Sequence, residues 1–159
     1  MAVDHGFRRV GVAVSDPLGL FARPLVTLDV RRTGDVAAEV ARLAREHAVR
    51  VVVVGLPLLP SGDHGPQAEA ATAFAAAVTA ALANIDHEAQ VGCFDESHTT
   101  AGAAALAAAS GRQPRAGSDA AAAALILEEW LQARESEGRA RAAGPQMNDV
   151  GAADPRGRS

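Results

Sequence analysis

The chain is poor in the residue types that mark several classes of protein. It has no tyrosine, one tryptophan and one cysteine, Cys93, among 159 residues. A single cysteine cannot form an internal disulfide, which excludes a disulfide-stapled scaffold and favours a reducing compartment. No basic segment precedes an apolar one near the first residue, and no apolar stretch approaches the ~20 residues of a membrane span. We therefore expect a cytoplasmic protein that does not contact a membrane.

Lysine is absent as well, so all fifteen basic residues are arginine. Arginine's planar fork suits phosphate better than lysine's point charge, although a GC-rich genome produces the same bias. The formal net charge of −4 argues against a protein that coats nucleic acid without specificity. Six of the arginines are clustered along the sequence, as Arg8 with Arg9, Arg31 with Arg32, and Arg112 with Arg115.

The composition is that of one soluble globular domain. Hydrophobic residues make up 48% of the chain and charged residues 21%, which is ordinary for such a domain. We place the domain at residues 1–137. Residues 138–159 are rich in Gly, Ala, Arg and Pro and lack periodicity, so we expect them to form a disordered C-terminal tail.

The first thirty residues predict three strands joined by short turns. Residues 2–3 and 10–14 form β-branched runs on either side of a turn that contains Gly6, and residues 20–30 form a longer extended segment. That segment contains Pro24, which cannot donate to a central ladder and therefore predicts an edge strand. Turns this short favour an antiparallel meander.

The pattern then changes to helices alternating with strands. Thr33-Gly34-Asp35 offers an N-cap for a helix, and the unbroken apolar run at residues 51–54 predicts a strand covered on both faces. A long helix is expected from Gln67, a strand at residues 90–94, and an alanine-rich helix from about residue 99 to residue 109. Ser118 is a candidate N-cap for a last helix with four inward positions, Ala123, Ile126, Leu127 and Trp130. The prediction is an α/β fold with a five-stranded mixed sheet.

Three acidic residues lie where these elements begin or end. Asp4 closes the first strand, Glu96 follows the last strand, and Asp119 opens the last helix on its inward face. Each has an ordinary structural explanation: an Asx turn for Asp4, a position beside a helix for Glu96, and the helix dipole for Asp119. Their shared placement at one end of a predicted sheet is harder to obtain by accident. This end of the sheet is the candidate functional site.

The sequence resembles the YqgF group, also called RuvX, of the RNase H-like superfamily. The resemblance spans residues 2 to about 132, and its pieces are strong in combination because they occur in the family's order and spacing. They are Val3-Asp4-His5-Gly6 with Arg9-Val10-Gly11-Val12-Ala13 and Ser15-Asp16, Val53-Val54-Gly55-Leu56-Pro57 with Gly62 and Gly65-Pro66, Asp95-Glu96 with Thr99-Thr100, and Asp119 with Ala121-Ala122 and Ile126-Leu127.

The resemblance implies an RNase H-like sheet, with three antiparallel strands and then two parallel strands, flanked by helices. It also implies a metal-dependent nuclease that processes the 5′ end of pre-16S rRNA, with Asp4, Glu96 and Asp119 as catalytic metal ligands. Carboxylate oxygens suit the implied Mg²⁺ or Mn²⁺ ions, and two such ions about 4 Å apart serve phosphodiester hydrolysis. Four arginines are the candidate substrate-binding residues: Arg8, Arg9, Arg112 and Arg115.

The sequence leaves several interpretations of the function open. Branched or single-stranded DNA is an alternative substrate, since a related family name is Holliday junction resolvase, and the protein could be a monomer or a homodimer. The family usually has an arginine just after the acidic pair, whereas this chain has Ser97 and then His98. A non-catalytic RNA-binding factor in ribosome maturation or transcription is therefore a second alternative. An actin-like ATPase or sugar kinase is a third, but it needs two such domains.

Overall fold

The computed structural model describes residues 1–57, 61–95 and 119–143, with side chains as far as residue 138. One five-stranded sheet has the order β3-β2-β1-β4-β5. β1 pairs antiparallel with β2, β2 antiparallel with β3, and β4 runs parallel to both β1 and β5. The predicted arrangement of three antiparallel strands followed by two parallel strands is confirmed. The strands are β1 (Ala2–His5), β2 (Arg9–Ser15), β3 (Ala22–Asp29), β4 (Val51–Leu56) and β5 (Gln90–Asp95).

Four helices are described: α1 (Val30–Thr33), α2 (Val36–Glu46), α3 (Pro66–Asn84) and α4 (Asp119–Ala143). Asp35 caps α2 as predicted, because its carboxylate accepts the Ala38 N–H at 3.0 Å. The predicted helix over residues 99–109 and the Ser118 cap lie outside the described residues. No described helix is long and apolar enough to cross a membrane.

The last helix is longer than predicted. α4 continues to Ala143, so residues 138–143 are helical, whereas the disordered tail was expected to begin at residue 138. The physical reason lies in composition, since the alanines and arginines after Gly138 are strong helix formers and need no apolar face to extend an existing helix. The rest of the predicted tail lies outside the described residues.

The sheet separates two apolar layers. Val3, Val12 and Val54 lie in the layer toward α2 and α3, while alternate residues such as Ala2 and Val53 pack in a second layer with α4. β4 is thus covered on both faces, as its unbroken apolar run predicts. The four positions predicted to face inward on α4 all pack in the second layer: Ala123, Ile126 and Leu127 are buried, and Trp130 is partly buried.

β3 is an edge strand, as Pro24 predicts. Pro24 lies opposite Ala13, at a point where the pairing register shifts between Val12 and Ala13. A proline has no N–H to donate, so an edge position with a local irregularity accommodates it. The hairpin nevertheless resumes its pairing on both sides of this point, which carries Thr27 of β3 to a position beside Gly11 of β2.

Candidate active site

A row of three residues crosses the antiparallel half of the sheet. Asp4 of β1 pairs in register with Gly11 of β2, and Gly11 pairs with Thr27 of β3. Asp4 lies on the same face as Ala2, because residues two apart in a strand point the same way, and Ala2 packs in the α4 layer. The start of α4 therefore faces the carboxylate of Asp4, the backbone of Gly11, which has no side chain, and the hydroxyl of Thr27.

The first turn of α4 rests on this row. The Ala120 N–H donates to Thr27 Oγ1 at 3.2 Å, which satisfies one of the N–H groups that a helix start leaves without a partner. A Cβ atom on Gly11 would lie 1.8 Å from the Asp119 carbonyl oxygen and 2.7 Å from the Ala120 nitrogen. Only a glycine at residue 11 allows the helix to sit this close to the sheet. The close approach brings the Asp119 carboxylate toward Asp4.

The two carboxylates repel each other in a partly buried setting. Burial raises the pKa of Asp4, and the negative charge of Asp119 raises that pKa further. Asp119 has a side chain that is 28% exposed, yet its Oδ2 atom is fully buried and accepts no hydrogen bond from the part of the chain that the structure describes. A buried carboxylate oxygen without a donor is costly unless a cation meets it. Carboxylate oxygens such as these are suitable ligands for a hard divalent cation such as Mg²⁺.

Arg9 forms an ion pair with one of the two carboxylates, that of Asp119. Its Nε lies 3.1 Å from Asp119 Oδ2, but the N–H does not point at the oxygen, so the contact is an ion pair without a hydrogen bond. The Arg9 side chain is 56% exposed, and solvent therefore screens much of the attraction. Arg9 is close enough to face a phosphate held at the carboxylates, and it leaves Asp119 able to accept a metal.

Arg8, the other arginine predicted at this end, lies on the exposed turn between β1 and β2. Its carbonyl oxygen accepts the Val30 N–H at 3.0 Å, which ties the turn to the start of α1. The structure thus brings Arg9 to the carboxylates, and it places Arg8 on the adjoining turn.

Three predicted site residues lie outside the described residues: Glu96, Arg112 and Arg115. β5 is described up to Asp95, the residue immediately before Glu96, where it pairs with Leu56 of β4. Within the described ranges, no group of three or more His, Cys, Asp or Glu side chains could hold a metal ion. The described part of the site is therefore the pair Asp4 and Asp119, with Arg9 beside it.

Two residues that position the site were not singled out from the sequence. Gly11 sits inside an otherwise apolar strand, and an interior strand glycine is a known sign of a close backbone approach. That signal was available but gave no indication of which element comes close. Thr27 carried no signal, since a threonine in a β-strand is ordinary.

Comparison with known proteins identifies the family to which the chain belongs. A family model described as "RuvX: Holliday junction resolvase" matches residues 1–133. A protein of Chloroflexus aurantiacus named "Putative pre-16S rRNA nuclease" is 39% identical over 139 residues, covering 86% of this chain and 88% of the relative. A protein of Pelotomaculum thermopropionicum with the same name is 36% identical over 159 residues, covering 98% of each chain.

The solved structures support the fold. RuvC of T. thermophilus in complex with a Holliday junction substrate is similar with a TM-score of 0.54 and 20% identity, covering 84% of this chain and 92% of RuvC. At this identity the likeness concerns the fold alone, and it confirms the predicted RNase H-like architecture. The family match over residues 1–133 and the two relatives show that the chain belongs to the RuvX family.

Proposed function

We propose that this protein is a divalent-metal-dependent nuclease that hydrolyses phosphodiester bonds at the 5′ end of pre-16S rRNA. One observation carries the chemical part of the proposal. Asp119 is held against the row of Asp4 and Gly11, and its buried Oδ2 has no hydrogen-bond donor among the described residues. Two partly buried carboxylates that repel each other favour a further cation at the pair, because the half-exposed Arg9 contacts Asp119 alone and donates no hydrogen bond to its buried oxygen.

Asp4, Glu96 and Asp119 are the proposed ligands of Mg²⁺ or Mn²⁺. Glu96 is included because of the resemblance to the RuvX family, and it directly follows Asp95, the last residue of β5. When bound, a pair of such ions activates a water molecule and stabilises the leaving oxygen. The described residues contribute negative charge at Asp4 and Asp119 in a setting where few other groups neutralise it.

The arginines have a separate role in this proposal. Arg9 contacts Asp119 and is more than half exposed, so its guanidinium can turn to a phosphate without leaving the site. Arg8 lies beside it on the turn, and Arg112 and Arg115 are proposed to bind substrate further along the chain. Guanidinium groups pair with phosphate oxygens in a bidentate manner, which orients the phosphodiester for in-line attack.

RNA is the proposed substrate because the relatives of this chain are named as rRNA nucleases. Branched DNA is the second candidate, and the observation that favours it is the description of the matching family model as a Holliday junction resolvase. The two candidates use the same carboxylates and differ in the nucleic acid bound. Cleavage assays with the two substrates therefore distinguish the two candidate functions, whereas mutation of the carboxylates does not.

The test compares cleavage of two substrates by wild-type protein and by Asp4→Asn and Asp119→Asn. One substrate is a precursor 16S rRNA fragment with its 5′ extension, and the other is a four-way DNA junction, each with Mn²⁺. We expect cleavage of the RNA by the wild type and a loss of at least about 100-fold in both variants. Asp63→Asn serves as the control, because Asp63 is exposed and its hydrogen bonds within the described ranges join it to its neighbour Ser61. Unchanged RNA cleavage by folded Asp4→Asn would refute the proposal.

A further inference from the structure

Phe7 is exposed at the end of the sheet that carries the acidic residues. The chain has only four phenylalanines and one tryptophan, and Phe7 has 67% of its surface exposed. Phe7 follows Asp4 by three residues, so their Cα atoms are at most about 11 Å apart. An unburied ring at this distance from the carboxylates lies within a few nucleotides of any phosphate bound there.

The backbone that carries Phe7 is fixed on both sides. The Gly6 N–H donates to the Arg9 carbonyl at 3.0 Å and closes the turn between β1 and β2. The Val30 N–H donates to the Arg8 carbonyl, also at 3.0 Å, and attaches the turn to α1. The ring is therefore presented from a defined position, and little backbone freedom is lost when it contacts a ligand.

The surroundings of Phe7 are basic. Arg8 is its neighbour in the turn, and Arg31 and Arg32 follow Val30 in α1. All three are exposed, and none forms an ion pair with another described residue. Asp29 and Asp35 lie near them and keep their charge, but both carboxylates accept backbone N–H groups as helix caps and form no ion pair with these arginines. Three guanidinium groups without an ion-pair partner among the described residues thus lie on the segments that meet at the turn of Phe7.

We propose that Phe7 stacks on an unpaired base next to the scissile phosphate, while Arg8, Arg31 and Arg32 bind the flanking phosphates. The inference rests on the proposed nuclease function and adds the substrate class, a nucleic acid that is single-stranded at the cut. A base presents a flat face to an aromatic ring only when it is unstacked from its neighbours, and arginines supply the attraction to the backbone. A duplex offers its phosphates to the arginines but no free base to Phe7.

The other exposed phenylalanine gives the contrast. Phe21 has 74% of its surface exposed, but it lies in the turn between β2 and β3, at the opposite end of the sheet. Its exposed neighbours are the apolar Leu18 and Leu20. An apolar group of this kind suits contact with protein, whereas a lone ring among guanidinium groups suits a polyanion with flat bases. Phe21 therefore serves as a control of equal chemistry at a different place.

The experiment measures binding without cleavage, in EDTA, so that it does not depend on the metal site. The probe is a single-stranded RNA of about twelve nucleotides that contains 2-aminopurine. The paired comparison is a blunt RNA hairpin closed by a non-nucleotide linker, so that it has no unpaired base. We expect the full-length protein to quench 2-aminopurine on binding. Phe7→Ala should lose this quenching and bind the single strand roughly 5- to 100-fold more weakly, with little change for the hairpin. Phe7→Trp should retain both binding and quenching.

The controls separate stacking from damage to the fold. Phe21→Ala should bind both RNAs like the wild type. Arg8→Ala should weaken binding to both RNAs, whereas Arg23→Ala, at the same distant end as Phe21, should not. Equal single-strand binding by Phe7→Ala and wild type overturns the proposal, as does an equal loss for single strand and hairpin. Absence of quenching by the wild type also overturns it. Failure of the nuclease proposal is recognised separately, by RNA cleavage that persists in Asp4→Asn.

Discussion

Gly11 lies directly beneath the backbone of Asp119, so close that a Cβ atom on Gly11 would come within 1.8 Å of the Asp119 carbonyl oxygen. Asp4 is the register partner of Gly11 on the next strand. The missing side chain in β2 therefore sets the distance between an acid on a central strand and an acid on the last helix. The metal site that we propose depends on this backbone contact as much as on the carboxylates themselves.

Gly11→Ala should displace the start of α4. The added methyl group would meet backbone atoms, which cannot rotate away, so overpacking should cost about 1–3 kcal/mol or more of folding free energy. For a protein of this size we expect the Tm to fall by roughly 2–10 °C and RNA cleavage to fall with it. Gly92→Ala in β5 is the matched control, because a Cβ atom there meets nothing within 4 Å. Equal Tm values for the two variants would contradict this role of Gly11.

Thr27→Val should weaken the attachment of α4 without changing the shape of the side chain. The variant removes the oxygen that accepts the Ala120 N–H, and loss of such a bond costs about 1 kcal/mol. We expect a Tm about 2–4 °C lower, measured by thermal unfolding. Thr27→Ser keeps the acceptor oxygen and should recover most of the loss. If Thr27→Ser and Thr27→Val are equally destabilised, the hydroxyl does not carry the contact.

Asp4→Asn should make the metal-free protein more stable at neutral pH. Burial and the charge of Asp119 raise the pKa of Asp4 above its ordinary value of 3.8. A raised carboxyl pKa means that the folded state holds the proton more tightly than the unfolded state. This contribution to stability is present below pH 3.8 and is lost as the pH rises through the raised value.

Asparagine does not ionise, so the variant should escape that loss. Its Tm in EDTA should exceed that of the wild type at pH 7, and the difference should shrink as the pH is lowered toward 3.8. Asp63→Asn, at an exposed position, should show no such pH-dependent gain. A wild type more stable than Asp4→Asn at pH 7 in EDTA would show that the two carboxylates do not repel as described.

Arg9→Gln should separate metal binding from substrate binding. Arg9 lies 3.1 Å from Asp119 Oδ2, so removing its charge leaves more negative potential for a cation and less positive potential for a phosphate. We expect Mn²⁺ affinity to stay equal or increase, and RNA affinity to fall by about 3- to 10-fold. The comparison variant is Arg42→Gln, whose ion pairs with Glu39 and Glu46 lie on α2, away from the site. A parallel loss of metal and RNA binding in Arg9→Gln would contradict the separation.

The sequence predicted the elements of this fold well where the pattern was local. Pro24 indicated the edge strand, the apolar run of β4 indicated cover on both faces, and Asp35 indicated the start of α2. The predicted start of the tail at residue 138 was wrong, because α4 continues to Ala143 through alanines and arginines of high helix propensity. Helix ends that lie beyond the packed layer are set by propensity alone, and periodicity does not detect them.

The candidate site was only partly accessible from the sequence. Asp4 and Asp119 were named, and they do lie together, because each stands at the end of an element whose position the fold determines. The contact that joins them is between backbone atoms near Gly11, and a backbone contact across 108 positions of the sequence leaves no periodic pattern. Phe7 likewise shows its importance only when its exposure and its arginine neighbours are known. The predicted assignments of Glu96, Arg112 and Arg115 remain predictions.

The most direct measurement of the central claim is a titration of Mn²⁺ followed by electron paramagnetic resonance, in which bound Mn²⁺ loses the sharp signal of the free ion. We predict that the wild type and Asp63→Asn bind Mn²⁺, and that Asp4→Asn and Asp119→Asn each bind at least about 10-fold more weakly, since each removes a charged oxygen ligand. Equal Mn²⁺ binding by the wild type and by both folded active-site variants would contradict the account, because Asp4 and Asp119 would then not hold the metal.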